Sequence, residues 1–565
     1  MRAQYPLGDR NASDKTDWMN LMKSATREIA DLLLHCEETA VAPPYVCDDG
    51  ATESVNINES PGPIVPVDSG GEDIFIVSDL HVASGRGADG RYDGCEKFYF
   101  DESFGRFLDH ARRSCRSPNP ILIINGDFID FLRVTYVPGR PGRFGRWQRS
   151  LTQLKLSRRK NRISSLAPAE GEEFREEFVE WQRVLEKIGI DLSVDELVDS
   201  ITDREELYGM KTSDCKSVLR LALVIKGHQE LFDALAGWLG EGKRLIIVKG
   251  NHDLEWYWLA VRNYLRLDLA ERLSKQRGGT TDEDVKKSLA EVLPRITFID
   301  HAMLIDGDFY VEHGHPYDPL TRVIGKATVC EGRELNIPFG SFFNRYFIDF
   351  IELKYPNLDN IRPTQNILPL VLRHRFFTGL RMLYSHASVI AKTVPRRYVR
   401  YLFGQHIIWR VLLILLVVLV PPVLLVIHQI AGTERLLIKI LEWALVIGGI
   451  YVAVQALAHF QLKEPESLDE FARLRFKENR AYRLISFGHT HNPDQFEERG
   501  RWFYNTGTWI PVIEISTAEL REDRTFTYLQ LTHNQAGMLQ PTVLQRWDDD
   551  ACRTEDMVLI KRAGF

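Results

Sequence analysis
Short apolar runs recur along the chain, and each stops abruptly at polar residues. Ile74-Phe75-Ile76-Val77 ends at Ser78-Asp79, Ile121-Leu122-Ile123-Ile124 at Asn125-Gly126-Asp127, and Leu245-Ile246-Ile247-Val248 at Lys249-Gly250-Asn251. Four consecutive apolar residues bounded by turn formers predict strands buried on both faces. Phe309-Tyr310-Val311 before Glu312-His313 and Leu484-Ile485-Ser486-Phe487 before Gly488-His489 repeat the arrangement. The pattern is that of an α/β protein, in which ligands gather beyond the C-terminal ends of the strands.

Two longer apolar stretches lie late in the chain. Residues 411–427 (VLLILLVVLVPPVLLVI) carry no charge, and Ile407-Ile408-Trp409 extends them to membrane-spanning length with Arg410 as the one interruption. Fifteen aliphatic residues contribute roughly -5 to -9 kcal/mol toward insertion, before the cost of the kink expected at Pro421-Pro422. Residues 440–460 form a second, less pure stretch containing Glu442 and Gln455. Together they predict a transmembrane helical hairpin over 405–460, with a buried hairpin in a soluble protein as the competing reading. Arg373, Arg375, Arg381, Lys392, Arg396, Arg397, Arg400 and Arg410 precede the first span, against Arg435 and Lys439 in the connecting loop. This asymmetry puts the rest of the chain on the cytoplasmic side of a two-span plasma (inner) membrane protein. Aromatic residues interleaved with those basic ones over 340–404 predict helices at the headgroup interface, so a lipid bilayer is an expected partner.

Composition adds bounds. The chain has 565 residues, 44% of them hydrophobic, enough for a large core with insertions. A net charge of -7 gives no global attraction to nucleic acid. The seven cysteines are widely spaced, without a C-x-x-C, which argues against a disulfide framework and for a reducing compartment. Met1 to Lys15 is polar, so a cleaved secretory signal is not expected. Residues 1–70 read as a short helix and a flexible leader, and 546–565 as a tail. Residues 131–224, basic from Arg133 to Arg162 and then acidic and helical, read as a cap insertion whose arginines hold an anion or are simply solvated.

Candidate chemistry comes from five ordered clusters: Asp79-Leu80-His81, Gly126-Asp127, Gly250-Asn251-His252-Asp253, His313-Gly314-His315 and Gly488-His489-Thr490-His491. Each alone is weak, but the ordered set supplies the mixed oxygen and nitrogen ligands that a pair of divalent cations requires. Glycines beside the ligands let backbone approach closely. The mixed shell is permissive toward the metal.

The set resembles the calcineurin-like metallophosphoesterases, with their D-x-H, G-D, G-N-H-[D/E], later His and G-H-x-H blocks. The resemblance covers a discontinuous domain of 71–130, 225–325 and 480–545. It implies a four-layer α/β/β/α sandwich and two divalent metal ions, with manganese the leading expectation and iron or zinc the alternatives. It further implies one ion on Asp79, His81, Asp127 and His491, and a second on Asp127, Asn251, His313 and His489, with Asp127 bridging. His252 is then free to act at the leaving group, with Asp253 orienting it, while a metal-bridging hydroxide attacks phosphorus.

Departures narrow the branch. Gly126-Asp127-Phe128-Ile129-Asp130 lacks the Arg-Gly of the protein phosphatases, and Asp130 stands where purple acid phosphatases have a tyrosine ligand. Tyr504-Asn505-Thr506-Gly507-Thr508-Trp509 is similar to the block after the last histidines in UDP-2,3-diacylglucosamine hydrolases, although those enzymes commonly have Arg in place of His252 and His-Gly-Asp in place of His313-Gly314-His315. The expected activity is hydrolysis of a phosphoester or pyrophosphate at the cytoplasmic membrane face, on a phosphorylated and lipid-linked substrate. A membrane-anchored nucleotide phosphodiesterase or nuclease and an inactive scaffold are the alternatives. His315, Arg133 and Arg146 are candidate substrate contacts. Asp130 reads as a helix N-cap, and His228 and His301 as satisfied histidines outside the site.

Overall fold
The computed structural model describes residues 63–138, 168–349 and 467–557, apart from a few positions within them, together with Ile29, Leu33 and residues 361–362. Arg146, the hairpin expected over 405–460 and nearly all of the interfacial segment beyond 349 lie outside the described residues. Among the described residues, no helix is long and apolar enough to cross a membrane.

The chain is a mixed α/β protein built on two large sheets. The strands are β1 (Ile64–Val67), β2 (Ile74–Val77), β3 (Ile121–Asn125), β4 (Arg244–Val248), β5 (Ile296–Ile299), β6 (Ala302–Ile305), β7 (Phe309–Glu312), β8 (Leu484–Phe487), β9 (Asp494–Glu498), β10 (Arg501–Asn505), β11 (Thr527–His533), β12 (Gln545–Asp548) and β13 (Arg553–Asp556). One sheet has the order β13-β12-β11-β2-β3-β4-β5, with Leu539–Pro541 also paired to β11; the other has the order β1-β6-β7-β8-β10-β9. In the first, β2 to β5 are parallel, and in the second, β8 runs parallel to both neighbours. All five expected strands are therefore present, and each ends at its ligand cluster.

Burial of both faces explains why the quartets at 74–77, 121–124 and 245–248 are wholly apolar. Ile74, Ile76, Ile121, Ile123 and Ile246 share one core with Met303, Phe309, Val311 and Leu484 of the other sheet, so the sheets lie face to face. Phe75, Val77, Leu122, Ile124, Leu245 and Ile247 point the opposite way, into a core shared with helices. Those helices include α1 (Asp101–Ser114), α2 (Pro168–Glu186), α3 (Val194–Ser200), α4 (Asp214–Gly227), α5 (Gln229–Gly240) and α6 (Leu259–Gln276). A further helix, Asp469–Glu478, covers the outer face of the second sheet through Ala472 and Phe476, which meet Tyr310, Ile485 and Phe503.

Three boundaries differ from the sequence expectation. The stretch expected as a cap contributes Phe178, Trp181, Leu185, Leu197 and Val218 to the same core as β2 and β3, so its helices belong to the main body. The expected leader ends in β1, which pairs with β6. The expected tail contains β12 and β13, where the polar run Gln545-Arg546-Trp547-Asp548 hides one large apolar residue, and Trp547 is buried beside α1. These strands lie at the margin of the sheet, where few positions need be apolar, so the pattern gave little signal there.

The loop after His81 is fixed by a buried cluster. Glu96 accepts from the backbone of Ala83, Gly85, Lys97 and Phe98, and His228 bridges Glu96 (3.1 Å) and Asp101 (2.8 Å). Burial opposes the charged imidazole, but the two carboxylates outweigh it and raise His228 to about 9. Because the folded value lies above the unfolded one, this stabilisation is complete below pH 6.5 and is lost as pH rises through 9. The difference amounts to on the order of 3 kcal/mol. Denaturant unfolding followed from pH 6 to pH 10 should show this decline in the native chain and not in His228→Gln.

Candidate metal centre
The five clusters converge beyond the C-terminal ends of β2, β3, β4, β7 and β8. Pairing between β2 and β3 continues past the strands, since Asp79 N donates to Gly126 O (3.1 Å), His81 N to Asp127 O (2.9 Å) and Val82 N to Phe128 O (3.0 Å). Here the backbone turns left-handed at Asp79, His81, Asp127, His489 and His491, with φ between 50° and 70°. Such conformations cost on the order of 1 kcal/mol each and persist where the surroundings fix them. They turn successive side chains inward. Gly126 and Gly250 are required: a Cβ on the first would overlap the His313 ring, and on the second the carboxylate and backbone nitrogen of Asp127.

Three groups of ligand atoms result: Asp79, His81 and His491; Asp127, His313 and His489; and His81, Asp130 and His252, which shares His81 with the first. His81 Nε2 stands 2.9 Å from His491 Nε2, 3.8 Å from Asp79 Oδ1 and 3.8 Å from Asp127 Oδ2. His491 Nε2 is 3.3 Å from Asp79 Oδ1, and His313 Nε2 is 3.2 Å from Asp127 Oδ2. One oxygen, Asp127 Oδ2, thus faces a histidine of each group. Asn251 Oδ1 is buried without a hydrogen-bond partner.

This donor set fits cations. Bonds of about 2.0–2.2 Å place neighbouring ligand atoms roughly 2.8–3.6 Å apart at octahedral to tetrahedral angles, close to the separations observed. Lone pairs aimed at one another inside a protein are otherwise unfavourable. The electrostatics agree. Burial would raise Asp79, but His313 and His491 hold its carboxyl at about 2, and Asp127 is held well below the usual range against burial by His313 and His252. Burial would lower His313, yet Asp127 and Asp79 raise it to about 10. Without a cation, the carboxylates draw positive charge from the imidazoles.

Outer acceptors fix which nitrogen is free. His313 Nδ1 lies 2.8 Å from Asn125 O, and His81 Nδ1 lies 3.2 Å from Asp130 Oδ2, so Nε2 is the lone-pair nitrogen of both rings. Asp130 Oδ2 also lies 3.0 Å from His252 Nδ1 and accepts from Arg133 Nε at 3.0 Å. Burial opposes ionisation of Asp130, but His252, His81 and Arg133 hold it far below the ordinary range.

Several expectations shift here. Asp130 is a buried carboxylate that meets His81 in a hydrogen bond and His252 in an ion pair, and it is not a helix cap; the Gly-Asp-x-x-Asp spacing was the available signal. The carboxylate expected to orient His252, Asp253, instead accepts from Phe128 N (2.9 Å) and Gly250 N (2.6 Å) and secures the turns carrying Asp127 and Asn251. Burial and the neighbouring Asp127 raise its carboxyl to about 7. Arg133, expected to contact substrate, is buried and ion-paired to Asp130 and Asp349. His315 is buried beside His313, and burial together with His313 and His489 holds its ring well below the ordinary value. His301 is buried near Glu312, and His228 lies in the cluster described above. Compared with family models, curated proteins and solved structures, the chain matches none.

Gly250→Ala should lower affinity for divalent cations at least 10-fold by displacing Asp127. Gly105→Ala, whose Cβ would meet only Ala234 at 3.7 Å, should bind as the native chain does. Equilibrium dialysis with Mn2+ compares the two.

Proposed function
We propose that the chain is a dinuclear metallophosphoesterase with the four-layer α/β/β/α sandwich, hydrolysing phosphoester or pyrophosphate bonds. The observation that carries this reading is the position of Asp127 Oδ2 between His81 and His313, which lets one carboxylate serve two adjacent cations. Asp79, His81 and His491 would hold one ion beside Asp127, and Asn251, His313 and His489 the other. When bound, the cations supply Lewis acidity toward phosphate oxygens and lower the pKa of water.

The residues of the chain supply the rest. Asp130 holds His252 by Nδ1 and stabilises its charged form, leaving Nε2 to carry a proton to the departing oxygen. The backbone N–H of His252 donates to Asp127 Oδ1 at 2.8 Å, so the acid and the shared ligand move as one unit. Asp253 locks the two turns beneath them. His315, buried alongside His313, would contact a bound phosphate.

The substrate reading is hydrolysis at the cytoplasmic face of a membrane, on a lipid-linked pyrophosphate such as UDP-2,3-diacylglucosamine. Its support is the apolar stretches of 405–460 together with where the intervening segment attaches. Asp349 before it is ion-paired to Arg133, and Ser467 after it donates to Asp494 (2.8 Å). Both ends are anchored to the metal-bearing body, as two crossings require.

With Mn2+, the purified full-length chain should hydrolyse bis-p-nitrophenyl phosphate, p-nitrophenyl phosphate or a nucleoside-diphosphate lipid, and Asp127→Asn should be inert. His252→Asn should lower kcat by about 10²–10⁴ with cation binding intact. Failure on all three substrates would contradict the reading. Release of the chain by carbonate without detergent would contradict the membrane hairpin.

A further inference from the structure
Nothing in the two-cation arrangement described above sets the orientation of the His489 ring. We infer that Asp318, with Thr321, is the positioning residue that sets His489 as a ligand of the second cation; the inference rests on the two-cation reading and names a residue which that reading does not use.

His489 Nε2 lies 3.3 Å from Asp318 Oδ2 and 3.3 Å from Thr321 Oγ1. The Thr321 hydroxyl donates its single proton to His315 O at 2.9 Å, so toward His489 it can only accept. An ionised carboxylate also only accepts. Two acceptors therefore face Nε2, which must carry the proton, and Nδ1 is left as the lone-pair nitrogen for the group formed with Asp127 and His313. Asp318 acts on His489 as Asn125 O acts on His313 and Asp130 on His81.

The local chain holds Asp318 in place for this. Residues His315–Tyr317 form a single 3-10 turn after His313, and Asp318 N donates back to His315 O at 3.2 Å. The other Asp318 oxygen accepts from Leu320 N at 2.8 Å, which fixes the carboxylate plane. Asp318 is buried, as is His489. Gly314, with φ +105°, allows the turn, and a Cβ there would strike Leu468. On its other side, the His489 backbone N–H donates to Asp79 Oδ2 at 3.0 Å. The nine residues 313–321 thus supply a candidate ligand, His313, and the support for another that lies 171 positions beyond Asp318.

Calorimetric titration of the metal-free full-length chain with Mn2+ tests this, alongside thermal unfolding of each variant. The native chain should take up two ions. Asp318→Ala should bind one of them about 10–100-fold more weakly and the other unchanged, the usual effect of losing an outer partner of a metal-bound histidine. Asp318→Asn, which keeps an acceptor without the charge, should fall between, and Gly105→Ala, outside the site, should bind as the native chain does. Wild-type affinity for both ions in Asp318→Ala would overturn the inference, as would loss of both in step with a lowered unfolding temperature. A native chain that takes up fewer than two ions would instead overturn the two-cation reading and this inference with it.

Discussion
The carboxylates of Asp79 and Asp127 are buried where the two sheets meet, and a positive charge has to reach them there. Both are buried from bulk solvent, and none of the contacts described for them is to a lysine or arginine. Instead the chain brings the imidazoles of His81, His313, His489 and His491 to the same point. The arrangement explains the left-handed backbone at five ligand positions, since only sharp turns at the strand ends direct side chains from both sheets inward. It also explains glycine at 126 and 250, where any side chain would occupy ligand space. Face-to-face packing of the sheets through Ile74, Ile121, Met303 and Phe309 keeps the two halves in register.

A second layer of acceptors gives this convergence its chemistry. Imidazoles clustered around carboxylates could as easily protonate and pair with them, leaving no lone pairs for cations. Asn125 O and Asp130 prevent a random choice of tautomer at His313 and His81 by engaging the nitrogen that faces away from the centre. Asp130 does more than this, because the same oxygen faces His252 and Arg133. It couples the ring that would ligate a cation to the ring that would meet the leaving group. Asp253, expected in that role, acts on backbone instead, and its carboxyl is pushed up to about 7 by burial and by Asp127.

The hydrophobic pattern made the centre legible and the supporting layer illegible. Uninterrupted apolar quartets marked β2, β3 and β4 because both faces of each strand are buried, and the residues after them are the candidate ligands. Asp130 looked like a cap because its local sequence precedes Phe131-Leu132, whereas its partners come from residues 81 and 252. Arg133 looked available for substrate because a basic run follows it, yet it pairs with Asp130 and with Asp349, more than two hundred positions away in sequence. Trp547 escaped notice because it is the one apolar residue in its short strand at the sheet margin. Periodicity reports which residues are buried, and it carries no information on which distant polar groups meet.

The central claim, that Asp127 is shared by two cations, is tested most directly by electron paramagnetic resonance of the chain loaded with two equivalents of Mn2+. A shared carboxylate holds the ions about 3.5–4 Å apart, so the spectrum should be that of an exchange-coupled pair and should collapse to isolated-ion lines in Asp127→Asn. Isolated-ion lines in the native chain at full loading would contradict the account.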